Sequence, residues 1–302
     1  MGPMHVRHPR KRWRGLSPRR NYAERRVVGP ATVSETDTML ATILASVLLT
    51  HAPVTAPVDT MLDVGGYRVH ARIHRGTRPL TILMEAGGGA TLAKWGGVDS
   101  VLAQRTSATV VAYERAGFGS SELGPLDLDP ITQVRQISAA LDRLDVPARR
   151  LVIGHSYGGL MAQVHADMFK DKIAGVVLVD AMNARFVDAT GDFIQTTVPH
   201  ITNPRNDIER AIARLVNTFP VMLNAARDAE PKIRAPLVVI TSGRPMWSNR
   251  ETENKAWRAS HEAIAAAAPG RRHMVAENSG HDVALDRPDA IIDAVMSLSQ
   301  TR

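Results

Sequence analysis

Arg150-Leu151-Val152-Ile153-Gly154-His155-Ser156-Tyr157-Gly158-Gly159-Leu160-Met161-Ala162 is the stretch whose reading decides the fold. Leu151–Gly154 is a compact apolar run of the kind that forms a buried strand, and Leu160–Phe169 has helical spacing. Between them lies Gly-x-Ser-x-Gly. In that position it makes a sharp strand-to-helix turn that lifts the serine side chain above the sheet. Crowding in the turn excludes bulky flanking residues, and here they are Gly154 and Gly158, with Gly159 next. Ser156 also falls at a helix N-terminus, where backbone N–H groups and the dipole favour negative charge. At Gly and Ser frequencies of roughly 7%, the bare pattern occurs by chance in about one chain in ten of this length. The strand before it and the helix after it make it specific.

Working outward, Tyr67–Ile73 alternates like a half-exposed antiparallel strand. Leu80–Met84, Thr109–Tyr113, Val176–Val179, Leu237–Ile240 and a run around His273–Ala276 read as buried parallel strands beside Leu151–Gly154. Ile131, Val134, Ile137, Leu141 and Leu144 recur at helical spacing, and Trp257–Ala268 and Ala290–Leu298 behave likewise. Strands alternating with helices predict an α/β fold with a doubly wound, mainly parallel sheet. Nearly sixty residues separate Val179 from Leu237, far more than one crossover needs. They hold two helical patterns, Asp207–Val216 and Pro220–Asp228, with Pro199, Pro204 and Pro220 as breaks. Residues 184–232 therefore read as a helical lid inserted after the sixth strand, within a domain spanning 57–302.

A serine hydroxyl is a poor nucleophile until a base takes its proton and the resulting oxyanion is stabilised. Ser279-Gly280-His281-Asp282 follows the last strand, so His281 can approach Ser156 from the carboxyl ends of the strands. Leu80–Met84 runs into Glu85-Ala86-Gly87-Gly88-Gly89-Ala90, whose amides can turn toward the serine. The backbone N–H groups of Gly88 and Tyr157 are the expected oxyanion hole. A phosphate loop is disfavoured, since neither Gly-Lys-Ser/Thr nor Gly-x-Gly-x-x-Gly occurs there.

Together these motifs resemble the α/β-hydrolase family over roughly residues 60–300. Tyr113-Glu114-Arg115-Ala116-Gly117-Phe118-Gly119-Ser120-Ser121 is similar to that family's turn after its fourth strand. Gly280-His281 with Leu285-Asp286-Arg287-Pro288 is similar to its last loop and final helix. The family usually places a triad carboxylate in the loop after the strand that is here Leu237–Ile240, but Met246 occupies the slot. Asp180, ending the preceding strand, is the expected acid instead, since a buried unpaired carboxylate there would be costly. A loop-capping or arginine-pairing role is its alternative, and Glu251 and Glu253 are the weaker candidates. The resemblance implies a cofactor-free Ser-His-Asp hydrolase of carboxylic esters or similar acyl compounds, with a small-molecule substrate. Perhydrolase, C–C hydrolase, lactonase and aminopeptidase activities stay open, as does a ligand-binding protein without turnover.

The remaining features bound the reading. The 302 residues contain no cysteine, which excludes disulfides, thiolate zinc sites and Cys nucleophiles. Residues 1–26 carry nine Arg/Lys and one Glu, a net +8 that leaves −1 for the rest of a chain whose total is +7. The charge belongs to a tail, so a nucleic-acid role for the folded part has no electrostatic support. Residues 1–56 read as a disordered basic tail plus the apolar run Met39–Leu49, which is too short to span a bilayer but of signal-peptide length. Cytoplasmic location and export both stay open. His70 and His74 lie in one strand and suggest no metal site. His155 and Trp95 read as packing residues and Glu85 as structural. Arg115 and Arg244 read as ion-pairing or pocket-facing. Phe193, Phe219, Met222 and Leu223 are candidates for an apolar acyl pocket.

Overall fold

The computed structural model describes residues 56–191, 197 and 200–299. The basic tail, the apolar run at 39–49 and Phe193 lie outside these residues. Eight strands form one sheet: β1 (Val58–Asp63), β2 (Arg68–His74), β3 (Thr81–Glu85), β4 (Thr109–Tyr113), β5 (Arg150–His155), β6 (Ile173–Val179), β7 (Leu237–Ser242) and β8 (Arg271–Ala276). Their order is β1-β2-β4-β3-β5-β6-β7-β8. The β1–β2 and β2–β4 pairs are antiparallel. Every other pair is parallel, with Met84 opposite Ile153, Ile153 opposite Val177 and Val179 opposite Ile240.

The helices used below are α1 (Val98–Thr106), α2 (Pro130–Arg143), α3 (Tyr157–Met168), α4 (Ala184–Thr190), α5 (Asp207–Ala229), α6 (Glu251–Ala266), α7 (Val283–Asp286) and α8 (Pro288–Ser299). The central strands are buried on both faces, so period two sorts their side chains between two cores. Ile82, Ile153, Val177 and Ile240 pack with Leu102 of α1 and Ile291 and Val295 of α8. Leu83, Val152, Leu178 and Val239 pack with Ile137 and Leu141 of α2, Ala162 of α3 and Ile264 of α6. Each such aliphatic side chain taken from water stabilises the fold by about 1.5–3 kcal/mol.

Two sequence expectations need correction. Edge strand β1 was not foreseen, because only Leu62 in it is buried and the rest reads as polar linker. The two helices expected on either side of Pro220 are one helix, the 23-residue α5, with Pro220 inside it. A proline removes one backbone donor and clashes with the preceding turn, at a cost of about 3 kcal/mol. Packing outweighs that cost. Phe219, Met222, Leu223 and Ala226 of α5 join Leu160, Met161 and Val164 of α3 in a third core cluster. Helix α5, which lies between β6 and β7 in the chain, thus packs on α3, the helix that follows the serine turn. No helix among the described residues is long and apolar enough to cross a membrane.

Candidate active site

The turn between β5 and α3 is built as its glycines dictate. A Cβ on Gly154 would lie 2.4 Å from the Gly158 carbonyl oxygen. One on Gly158 would lie 2.1 Å from the Glu85 carbonyl oxygen, and one on Gly159 2.3 Å from the Ala181 Cβ. These three positions admit no side chain, and their emptiness brings β3, β6 and the turn into contact. Ser156 takes φ 52° and ψ −124°, a conformation that costs of order 1–3 kcal/mol outside glycine. Flanking ladders hold it there. Its N–H donates to the Val179 carbonyl at 3.2 Å, and its carbonyl accepts the Met182 N–H at 2.9 Å. Among the described residues its hydroxyl makes no hydrogen bond, and the side chain lines a cavity of about 420 Å³.

Those same two bonds bracket Asp180. The carboxyl end of β6 is clipped to the serine turn on either side of it, and its backbone is drawn to φ 40°. Its carboxylate is fully buried and satisfied on both oxygens. Oδ1 accepts the Ser242 N–H at 3.0 Å and the Trp257 Nε1–H at 2.9 Å, and Oδ2 meets His281 Nδ1 at 2.7 Å. Burial pushes the Asp180 carboxyl up, but the His281 bond, nearby histidines and the Ser242 N–H outweigh it, leaving it below the usual carboxylate range. An ionised partner fixes the proton of His281 on Nδ1 and leaves Nε2 as the basic atom.

The loop carrying His281 is tied down from three directions. His155 Nε2–H donates to the His281 carbonyl at 2.9 Å, and the two rings lie 4.7 Å apart. Burial, reinforced by His281, pushes His155 down to about 4, so it serves as a neutral donor. Asp286 accepts the Gly280 N–H at 2.7 Å and pairs with Arg244 at 2.6 Å. Lys94 pairs with Asp282 at 2.6 Å.

The other expected residues distribute as follows. Gly88 and Tyr157 line the same cavity as Ser156, with Met182, Leu215, Val216, Phe219 and Pro220 as apolar walls. Met222 and Leu223 are buried in helix packing instead. Glu251 and Glu253 stand at the start of α6, paired with Lys255 and Arg250. Met246 donates its N–H to Asn254, so the loop after β7 offers His281 no carboxylate. His70 meets Glu114 and His74 meets Asp99, each at 3.0 Å. Trp95 is buried on its helical turn. A larger depression of about 660 Å³ runs along Gly243–Arg258, but neither Ser156 nor His281 lines it. Trp257 and Ser242 were missed as supports of Asp180. The one sequence signal for the first was a tryptophan in an otherwise Ala-rich helix, and a backbone donor has none.

Residues 82–294 match the pattern of the alpha/beta hydrolase family. The chain belongs to that family. It is 24% identical over 239 residues to the uncharacterized protein YqjL of Bacillus subtilis, covering 78% of this chain and 90% of that one. The enol-lactonase from Burkholderia xenovorans is similar in structure, with a TM-score of 0.60, 19% identity, and coverage of 79% of this chain and 99% of that one. The proline iminopeptidase of Mycobacterium smegmatis gives a TM-score of 0.56 at 17% identity, covering 80% of this chain and 97% of that one. At such identities these solved structures share the fold, and the chemistry must be argued from the residues.

Proposed function

We propose that this α/β hydrolase cleaves a carboxylic ester, or a closely related acyl compound, through an acyl-enzyme on Ser156. The observation that carries the reading is the buried Asp180 carboxyl hydrogen-bonded to His281 Nδ1, with its backbone clipped to the strained Ser156 turn. Ser156 Oγ attacks the acyl carbon while His281 Nε2 takes the hydroxyl proton. Negative charge collects on the former carbonyl oxygen and is met by the N–H groups of Gly88 and Tyr157. Collapse breaks the ester C–O bond, and His281 returns the proton to the departing alkoxide. Water, deprotonated by the same nitrogen, then releases the acid and restores Ser156. Asp180 keeps its charge throughout and stabilises the imidazolium. The residues needed are all side chains and amides of this chain, and no step calls on a cofactor.

Residues 184–232 act in this reading as the lid, with α5 supplying the acyl-binding wall. Among the described residues the cavity is lined by apolar side chains with His200 and Asn217 and by no arginine or lysine, which favours an uncharged acyl group. A fluorophosphonate probe tests the proposal. Wild type should be labelled on Ser156, and Ser156→Ala should neither label nor turn over p-nitrophenyl esters. Equal labelling of the variant overturns the reading. A chain-length series of those esters then measures how much of the cavity the acyl group fills.

A further inference from the structure

We infer that Arg115 is a positioning residue of the oxyanion hole, aiming the Gly88 amide at the reacting carbonyl and placing a buried positive charge behind it. The inference rests on the serine-hydrolase reading of the same site. Arg115 leaves the end of β4 and is buried. One guanidinium nitrogen donates to the Ala86 carbonyl at 2.6 Å and the other to the Gly87 carbonyl. Among the described residues no peptide bond is cis. In a trans peptide the N–H points opposite its own carbonyl. With the Gly87 carbonyl turned to Arg115, the Gly88 N–H of that peptide is turned away from it. Gly88 lines the cavity beside Ser156 and Tyr157.

The loop is shaped to accept this clamp. Ala90 N–H donates to the Gly87 carbonyl at 3.2 Å, closing a tight turn, and Gly89 supplies φ 70°. The Gly87 oxygen therefore uses one lone pair for the turn and the other for Arg115. Among the described residues Arg115 forms no ion pair. The Glu85 carboxyl in the same layer accepts the Tyr113 hydroxyl at 2.6 Å instead. The guanidinium also lies 5.2 Å from the centre of the Tyr157 ring, on the residue whose N–H is the other oxyanion donor.

The carboxyl that feels its charge is Glu85, which burial pushes up to about 7 and which the Tyr113 bond and the Arg115 charge pull back down. Its hydrogen bond is with Tyr113, so the guanidinium keeps part of its field for the site. Negative charge that develops on the substrate oxygen meets a positive charge already in place, which needs no reorganisation when it does. A residue that merely tied two loops together would support ground state and transition state alike.

The test uses Arg115→Met and Arg115→Lys in the full chain. It combines steady-state kinetics on the best p-nitrophenyl ester with inhibition by an alkylboronic acid, which forms a tetrahedral adduct on serine. Arg115→Met should lower kcat by about 10²-fold with KM little changed, and weaken the boronate by a similar factor. Arg115→Lys keeps the charge and one carbonyl contact, and should fall between the two. A raised KM with kcat intact, unaltered boronate binding, or a lysine variant no better than methionine would each overturn the inference. If melting curves show that Arg115→Met does not fold, Arg115→Lys decides alone. It should lose about tenfold in kcat and boronate affinity together, and wild-type values for both sink the idea. Ser156→Ala separates the two levels. Turnover retained there brings down the serine reading and this inference with it, whereas unaffected Arg115 variants over an inactive Ser156→Ala bring down this inference alone.

Discussion

Asp180 makes the sharpest residue-scale prediction, because both of its oxygens are committed. An asparagine there keeps an oxygen for the Ser242 and Trp257 donors and turns its amide nitrogen to His281. His281 Nδ1 must then accept, its proton moves to Nε2, and the base proposed for Ser156 is lost. Asp180→Asn is thus expected to lower kcat by roughly 10⁴-fold while the melting temperature stays near wild type. The same loss from Glu251→Gln would place the acid elsewhere. Much of this site was legible in single residues. The glycines declared a crowded turn, and Asp180 announced itself as a charge no buried strand end keeps without a partner. The partners were less visible. Trp257 and the Ser242 amide reach Asp180 from elements far apart in the chain, and His155 acts through a backbone carbonyl. Arg115, read from sequence as ion-pairing or pocket-facing, lines a small cavity with Tyr157 and Leu215 and grips two carbonyls. Side chains that bond to backbone leave no pattern of paired residue types to read.

In the proposed reading α5 supplies the acyl wall, and Arg214 is one residue that fastens it. Arg214 is buried and donates to the Leu123 and Pro125 carbonyls at 2.7 and 2.8 Å, and to the Ala116 carbonyl at 2.6 Å. It locks the helix to the loop after β4 one residue before Leu215, whose side chain walls the cavity. Arg214→Met should lower the melting temperature by about 5 °C or more, because three carbonyls lose a charged donor. It should also raise KM about tenfold for long acyl esters while sparing an acetyl ester, since only the former leans on Leu215 and Phe219. A uniform change across the ester series would show that α5 is not the acyl wall. Sequence patterning found the strands and helices with two-sided or amphipathic burial. It failed at β1, which buries one side chain, and at Pro220, where local chemistry predicts a break and helix packing overrides it.

Across the whole molecule, a set of buried neutral histidines links stability to pH. Burial, with the His281 ring adding to it, lowers His155 to about 4, and burial, with Arg150 nearby, lowers His165 to about 3. His261 is also lowered by burial, while its ring bridges the Thr241 hydroxyl and the Ala181 carbonyl. An unfolded histidine titrates near 6.5. Below that value the unfolded chain takes up protons that the folded chain refuses, so stability falls as pH drops and is restored as pH rises. The window runs from about 6.5 down to about 4 for His155 and about 3 for His165. Each contributes roughly 1.4 kcal/mol per pH unit inside its window. Asp180, held low, adds a loss in the same direction at still lower pH. His165 isolates the effect, because it stands outside the catalytic constellation. Its ring lies against Phe169 at 5.0 Å, and neither of its nitrogens has a partner among the described residues. A leucine there removes two unsatisfied buried atoms and one proton site that only the unfolded chain can fill. His165→Leu should therefore be at least as stable as wild type at neutral pH and should gain on it steadily toward about pH 5. Thermal melts of both proteins across that range measure the gain, and parallel curves would show that His165 is not refusing a proton in the folded state.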